Sequence, residues 1–76
     1  FKVVGASWLD RKAPVLPLRC QVVIRYGHPP VACVVAKGKR AGELSVHLRQ
    51  ATRAVTVGQS AVFYQNRRVL GGGVID

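Results

Sequence analysis

A chain of 76 residues has room for one domain, and a domain this small buries only about 60% of the surface its unfolded form exposes. With 49% of its residues apolar, it is too hydrophobic to be a disordered basic tail. Twelve Lys and Arg against three acids leave a formal net charge of +9, which points to polyanionic partners; nucleic acid is preferred over membrane, since no apolar run approaches the roughly 18 residues of a spanning helix and no long amphipathic or signal segment is present.

The first expected strand is Lys2-Val3-Val4-Gly5-Ala6-Ser7, ended by Trp8-Leu9 ahead of the charged break Asp10-Arg11-Lys12 and Pro14. Trp8 reads as a core plug, with a stacking platform for a base as its other use. The chain begins at Phe1 and holds no Met, so it is expected to be a piece of something longer or a processed product.

Residues 17–26 alternate cleanly, with Leu18, Cys20, Val22, Ile24 and Tyr26 on one face and Arg19, Gln21, Val23 and Arg25 on the other, the period of a half-buried strand. Gly27-His28-Pro29-Pro30 makes a turn, because proline cannot donate to a ladder, and residues 31–36 return as the next strand. A turn centred near His28 sets Cys33 opposite Val23 and leaves Cys20 and Cys33 on opposite faces. The two cysteines therefore read as small buried hydrophobes in a reducing cytosol, in preference to a disulfide as the other reading. His28 and His47 are not placed to complete a metal ligand set.

Lys37-Gly38-Lys39-Arg40-Ala41-Gly42 forms a basic loop before a strand over residues 43–50, where Leu44, Val46 and Leu48 alternate with Ser45, His47 and Arg49. The loop is either a solvated tip that maintains solubility or a phosphate contact, and the overall charge brings the second use level with the first. His47 reads as an ordinary outward-facing strand residue. Residues 51–57 lead to a turn at Gly58 and then to the final hairpin, residues 59–75.

In that hairpin β-branched and aromatic residues run up to an Asn-centred break and resume after it. A turn on Asn66-Arg67 pairs Tyr64 with Val69, Phe63 with Leu70, Val62 with Gly71 and Ser60 with Gly73. Both faces are apolar: Ala61, Phe63 and Leu70 on one, Val62, Tyr64, Val69 and Ile75 on the other. Only one face can line a small barrel, so the second is expected to dock on another domain or partner. Gly71-Gly72-Gly73 is not a phosphate loop, since no Lys-Ser/Thr follows and too little chain remains for a helix; it marks a close backbone approach or a bulge.

The sum is about six short strands and no helix, hence a sandwich or a small barrel, the barrel having no exposed edges. Three acids are too few to build an acid–base pair or orient a histidine, so the residues offer no active site. Binding is better served. Arg25, Lys37, Lys39, Arg40, Arg49, Arg53, Arg67 and Arg68 fall on or beside turns and polar strand faces, with Tyr26 and His28 as interleaved stacking groups.

Arg53-Ala54-Val55-Thr56, Gly58-Gln59-Ser60-Ala61-Val62-Phe63-Tyr64 and Val69-Leu70-Gly71-Gly72-Gly73-Val74-Ile75 closely resemble the C-terminal signature of the tRNA-specific 2-thiouridylase family. Arg25-Tyr26 with Pro29-Pro30 and the opening Trp8-Leu9 extend the likeness over nearly the whole chain; Val57 departs from the proline usual there. The resemblance implies an all-β fold, a small antiparallel six-stranded β-barrel similar to the second domain of translation elongation factors, as one domain over residues 1–76. It implies a place at the C-terminus of a cytoplasmic enzyme that 2-thiolates the wobble uridine of tRNA, where an N-terminal domain uses ATP with magnesium and a pair of its own cysteines. Neither Cys20 nor Cys33 inherits that role, and no cofactor or metal is expected on this chain. Its expected partners are tRNA and the other domains of the enzyme. The alternatives are an interaction or structural barrel whose charge serves solubility, and a free-standing ribosome-associated RNA-binding barrel.

Overall fold

The computed structural model describes residues 1–10, 13–24, 27–50 and 55–76. Six strands are formed, β1 (Lys2–Trp8), β2 (Leu18–Val23), β3 (Val31–Lys37), β4 (Glu43–Leu48), β5 (Ser60–Gln65) and β6 (Arg68–Ile75). They close in the order β1-β4-β3-β2-β5-β6, every neighbouring pair antiparallel. The expected all-β fold and six-stranded barrel are borne out, and closure leaves no unpaired edge to aggregate.

Alternation explains the filling. Cys20, Val22 and Ile24 from β2 and its extension, Cys33 and Val35 from β3, and Leu44 and Val46 from β4 all point inward and are buried with Val3, Ala61, Phe63 and Ile75. A small barrel has just enough interior for such a set. Trp8 closes one end of it, its ring stacked on Phe63 with centroids 5.7 Å apart and 24° between planes. The core-plug reading of Trp8 holds.

Two irregularities shape the barrel. In β1 the pairs Val4–Val74 and Ser7–Gly72 leave one extra residue on β1, and Gly5 takes φ 61° there, a conformation that costs glycine nothing. In β6 the turn does close on Asn66-Arg67, both with positive φ (51° and 68°), the geometry that matches strand twist. Tyr64 pairs with Val69 as expected, but Phe63 pairs with Gly71 and not with Leu70. Leu70 is the extra residue of a bulge, and its carbonyl accepts from Leu9 N at 2.9 Å instead.

That bulge corrects two expectations. Val62 lies opposite Gly72 and Ser60 opposite Val74, one residue on from the plain register. Because side chains alternate, one inserted residue reverses every face beyond it. Ile75 therefore turns into the core, 1% exposed, and is no docking residue, while Val74 turns outward at 44%. The three glycines are where strands crowd. A Cβ on Gly71 would strike the Ser7 carbonyl oxygen and sit 2.9 Å from Trp8 Cα; one on Gly72 would strike the Ala61 carbonyl oxygen; one on Gly73 would sit 2.6 Å from Val3 Cγ1. Close approach and bulge are both present.

The cysteines need a correction as well. Cys20 lies directly opposite Cys33, their sulfurs 3.7 Å apart as free thiols. The pairing of Val22 with Val31 centres the β2–β3 connection between residues 26 and 27, not near His28. This odd shift brings both thiols to the same, inner, face.

Candidate nucleic-acid interface

Because every neighbour is antiparallel, the β1–β2, β3–β4 and β5–β6 connections gather at one end of the barrel and the β2–β3 and β4–β5 connections at the other. The expected contact residues are divided accordingly. Lys37, Lys39 and Arg40 share the β3–β4 hairpin, with Arg67 and Arg68 at the same end, all exposed. His28 is exposed at the opposite end. Arg25, Tyr26 and Arg53 lie outside the described residues.

The β3–β4 tip is organised by Glu43, which sequence reasoning missed. Gly38 N donates to the Glu43 carbonyl at 2.8 Å and Glu43 N to the Arg40 carbonyl at 3.1 Å. The side chain, 8% exposed, folds back so that Oε2 accepts from Lys39 N at 2.9 Å and Arg40 N at 3.4 Å, with Lys2 Nζ 3.8 Å from Oε1. Gly38 has no side chain because a Cβ would meet Glu43 Cγ at 2.7 Å. One buried carboxylate thus holds the backbone of a cationic tip from within and leaves the Lys37, Lys39 and Arg40 side chains to solvent. The available signal was the single acid at the foot of a basic loop.

Arg68 is less free than expected. One guanidinium nitrogen donates to both oxygens of Asp10, at 3.1 and 3.2 Å, in an exposed pair that is worth little but occupies the group. Arg67 carries no such pairing among the described residues. His47 faces outward, its Nε2 3.0 Å from Ser45 Oγ, as expected of an ordinary strand residue.

The outer face of β5 and β6 carries Val62, Tyr64 and Val69, all half-buried, together with Val74. Leu9, 71% exposed, borders Val62, Val69 and Val74 in a shallow trough of about 400 Å³ over Gly72. An outward apolar strip therefore exists, with Val74 and Leu9 in the place given to Ile75.

The buried thiols share one hydrogen bond. The hydrogen bond from Cys33 lowers the Cys20 thiol below its ordinary value against the opposing effect of burial. The same bond, burial and the nearby Cys20 charge push Cys33 up. Among the described residues no three His, Cys, Asp or Glu side chains are grouped to hold a metal ion. Gly71–Gly73 face Trp8, Ala61 and Val3 and leave no cradle for a phosphate.

A closed antiparallel barrel with a carboxylate-braced cationic tip at one end and an apolar strip on one flank defines a small six-stranded β-barrel domain. The chain belongs to the aminomethyltransferase beta-barrel domain family, whose model matches residues 1–75. It is 48% identical over 69 residues to the tRNA-specific 2-thiouridylase MnmA of Sodalis glossinidius, covering 91% of this chain and 18% of that protein. The enzymes of the same name from Blochmanniella pennsylvanica (44% over 75 residues, 99% and 20%) and Geobacillus thermodenitrificans (37% over 76 residues, 100% and 20%) are similar along its whole length. The chain spans about a fifth of the length of these curated relatives, in their C-terminal part. The resemblance to the C-terminal domain of the tRNA-specific 2-thiouridylases is thereby shown.

Proposed function

We propose that this chain is the tRNA-binding accessory barrel of an enzyme that 2-thiolates the wobble uridine of tRNA in the cytoplasm, supplying phosphate contacts and a docking face and no catalytic group. The observation that carries the reading is the β3–β4 tip, where Lys37, Lys39 and Arg40 project from a backbone held by Glu43. Cations on a fixed frame can follow a phosphate backbone without ordering themselves anew. The apolar strip of Val62, Val69, Val74 and Leu9 then packs on the remaining domains. ATP and magnesium belong, on this reading, to those domains, since the glycine run here is closed by its neighbours.

The test is tRNA affinity of the native protein against salt. Each phosphate contact contributes roughly 0.7–0.9 to the log–log slope, so replacing Lys37, Lys39 and Arg40 by Ala should weaken binding and flatten the slope by roughly 2. A salt-independent affinity sinks the reading. The exposed apolar strip favours a second one, an interaction module whose charge serves solubility; undiminished tRNA affinity in the triple variant would select it.

A further inference from the structure

On β2, β3 and the end of β4 a concavity of about 340 Å³ opens on the outer face. That volume is within the range of roughly 300–1,000 Å³ typical of small-ligand sites. Its origin is the register. Arg49 N donates to the Ala32 carbonyl at 3.0 Å, Ala32 pairs with Gln21, and Gln21 pairs with Tyr64, so Arg49, Ala32, Gln21 and Tyr64 form one row across four chain segments. The adjoining row runs from Val34 to Arg19. Small side chains on β3 form the floor, and the long ones on either side form the walls. Arg19 is the diagonal neighbour of Tyr64, within reach of an aromatic side chain, and lies two strand spacings, about 10 Å, from the segment bearing Arg49.

The chemistry is specific. The chain has three carboxylates, Asp10, Glu43 and Asp76, and none lines this concavity. Two guanidiniums therefore face it uncompensated, beside one aromatic ring and the Gln21 amide. This set suits a ligand that carries a flat π-system and an anion a few ångströms apart.

We infer that the concavity receives one unpaired nucleotide of an RNA strand, its base against Tyr64 and Arg19 and its phosphate on Arg49. The inference rests on the tRNA-binding reading above and moves Tyr64 from the docking face to the RNA. A base in a duplex has no free face to offer, so the occupant is a loop or single-stranded position.

The test titrates the native protein with a labelled short oligouridylate, with duplex RNA and uridine monophosphate as comparators. Tyr64→Leu keeps an apolar side chain but removes the stacking face and should weaken the oligouridylate by roughly 5- to 150-fold, the worth of one base stack, while Tyr64→Phe restores it and duplex binding is unchanged. Joint replacement of the exposed Arg19 and Arg49 by Gln should weaken the oligouridylate and flatten its salt slope by roughly 0.7, the share of one phosphate on a single strand. Equal affinities for wild type, Leu and Phe variants overturn the inference, as does uridine monophosphate competing as well as the oligouridylate. Salt-dependent tRNA binding that ignores Tyr64 refutes the pocket alone, whereas absence of any such tRNA binding refutes the broader reading.

Discussion

Replacing Glu43 by Ala sets two accounts of the basic hairpin against each other with opposite signs. Its Oε2 makes one short charge-assisted bond to Lys39 N at 2.9 Å and a long one to Arg40 N at 3.4 Å. The first is worth about 1.5–3 kcal/mol and the second little at that distance. The Lys2 pair adds at most about 1 kcal/mol, because at 3.8 Å and with Lys2 60% exposed it is screened by water. The expected loss is therefore about 2–3 kcal/mol, against about 4–11 kcal/mol for a domain of 76 residues at the usual stability per residue. The barrel should still fold, with a melting temperature lowered by roughly 10–20 °C.

Removing an acid also raises the net charge from +9 to +10. If charge alone attracts tRNA, affinity should hold or rise. If the frame matters, the freed tip must be ordered on binding at about 1–2 kcal/mol per residue, and affinity should fall by roughly tenfold or more. Glu43→Gln keeps an acceptor oxygen and the shape while losing the charge, so it should bind tRNA at least as well as wild type. The assay is a tRNA titration at fixed salt, well below the melting temperature of the Ala variant. An Ala variant that binds as tightly as wild type refutes the role given to Glu43.

Gly71→Ala should cost about 2–4 kcal/mol, since the new Cβ meets Ser7 and Trp8 backbone and disturbs the Trp8–Phe63 stack. Unfolding followed by the fluorescence of the sole tryptophan should show it, and a midpoint like that of the exposed-site control Val74→Ala would contradict it. The thiol pair sets a pH limit. Cys33 is pushed up from 9.0, so its contribution is fully present below about pH 9 and is lost as pH rises further, because the unfolded thiol ionises while the folded one resists. Cys20, lowered from 9.0, changes stability only below that pH and in the opposite sense. Above pH 9 the wild type should therefore lose up to about 1.4 kcal/mol per pH unit more than a variant with both cysteines replaced by Ala; parallel urea midpoints would refute this.

Strand periodicity was legible wherever one face is buried and the other wet. β2 and β4 announce their inner faces through Cys20, Val22 and Ile24, and through Leu44 and Val46. Register was not. Alternation says which residues share a face within a strand, but the opposing partner depends on the length and path of the connection, and the β2–β3 connection contains two prolines and no short-turn signature. An error of three residues there was enough to part Cys20 from Cys33. The bulge at Leu70 was hidden for a related reason: the glycines announced an irregularity near it but not which residue would be left unpaired. The cations were legible as residue types and not as positions, since which barrel end each occupies follows from strand order.

The same parity rule connects fold to function. Closure commits the interior to hydrophobes, so anything the barrel does must be done from its ends or its outer flanks. Leu70, by occupying the bulge, turns Ile75 inward to complete the core and turns Val74 outward beside Val62 and Val69. Without that one residue the flank would present Ile75, and the core would have Val74 in its place. The apolar strip on β5 and β6 and the cationic concavity on β2 and β3 consequently meet along one line, at Tyr64 opposite Gln21. A partner domain seated on the strip would leave the concavity and the Glu43-braced tip open together. On the proposed function, docking and nucleic-acid contact use different faces of the barrel, and a variant that abolishes one while sparing the other is the expected outcome.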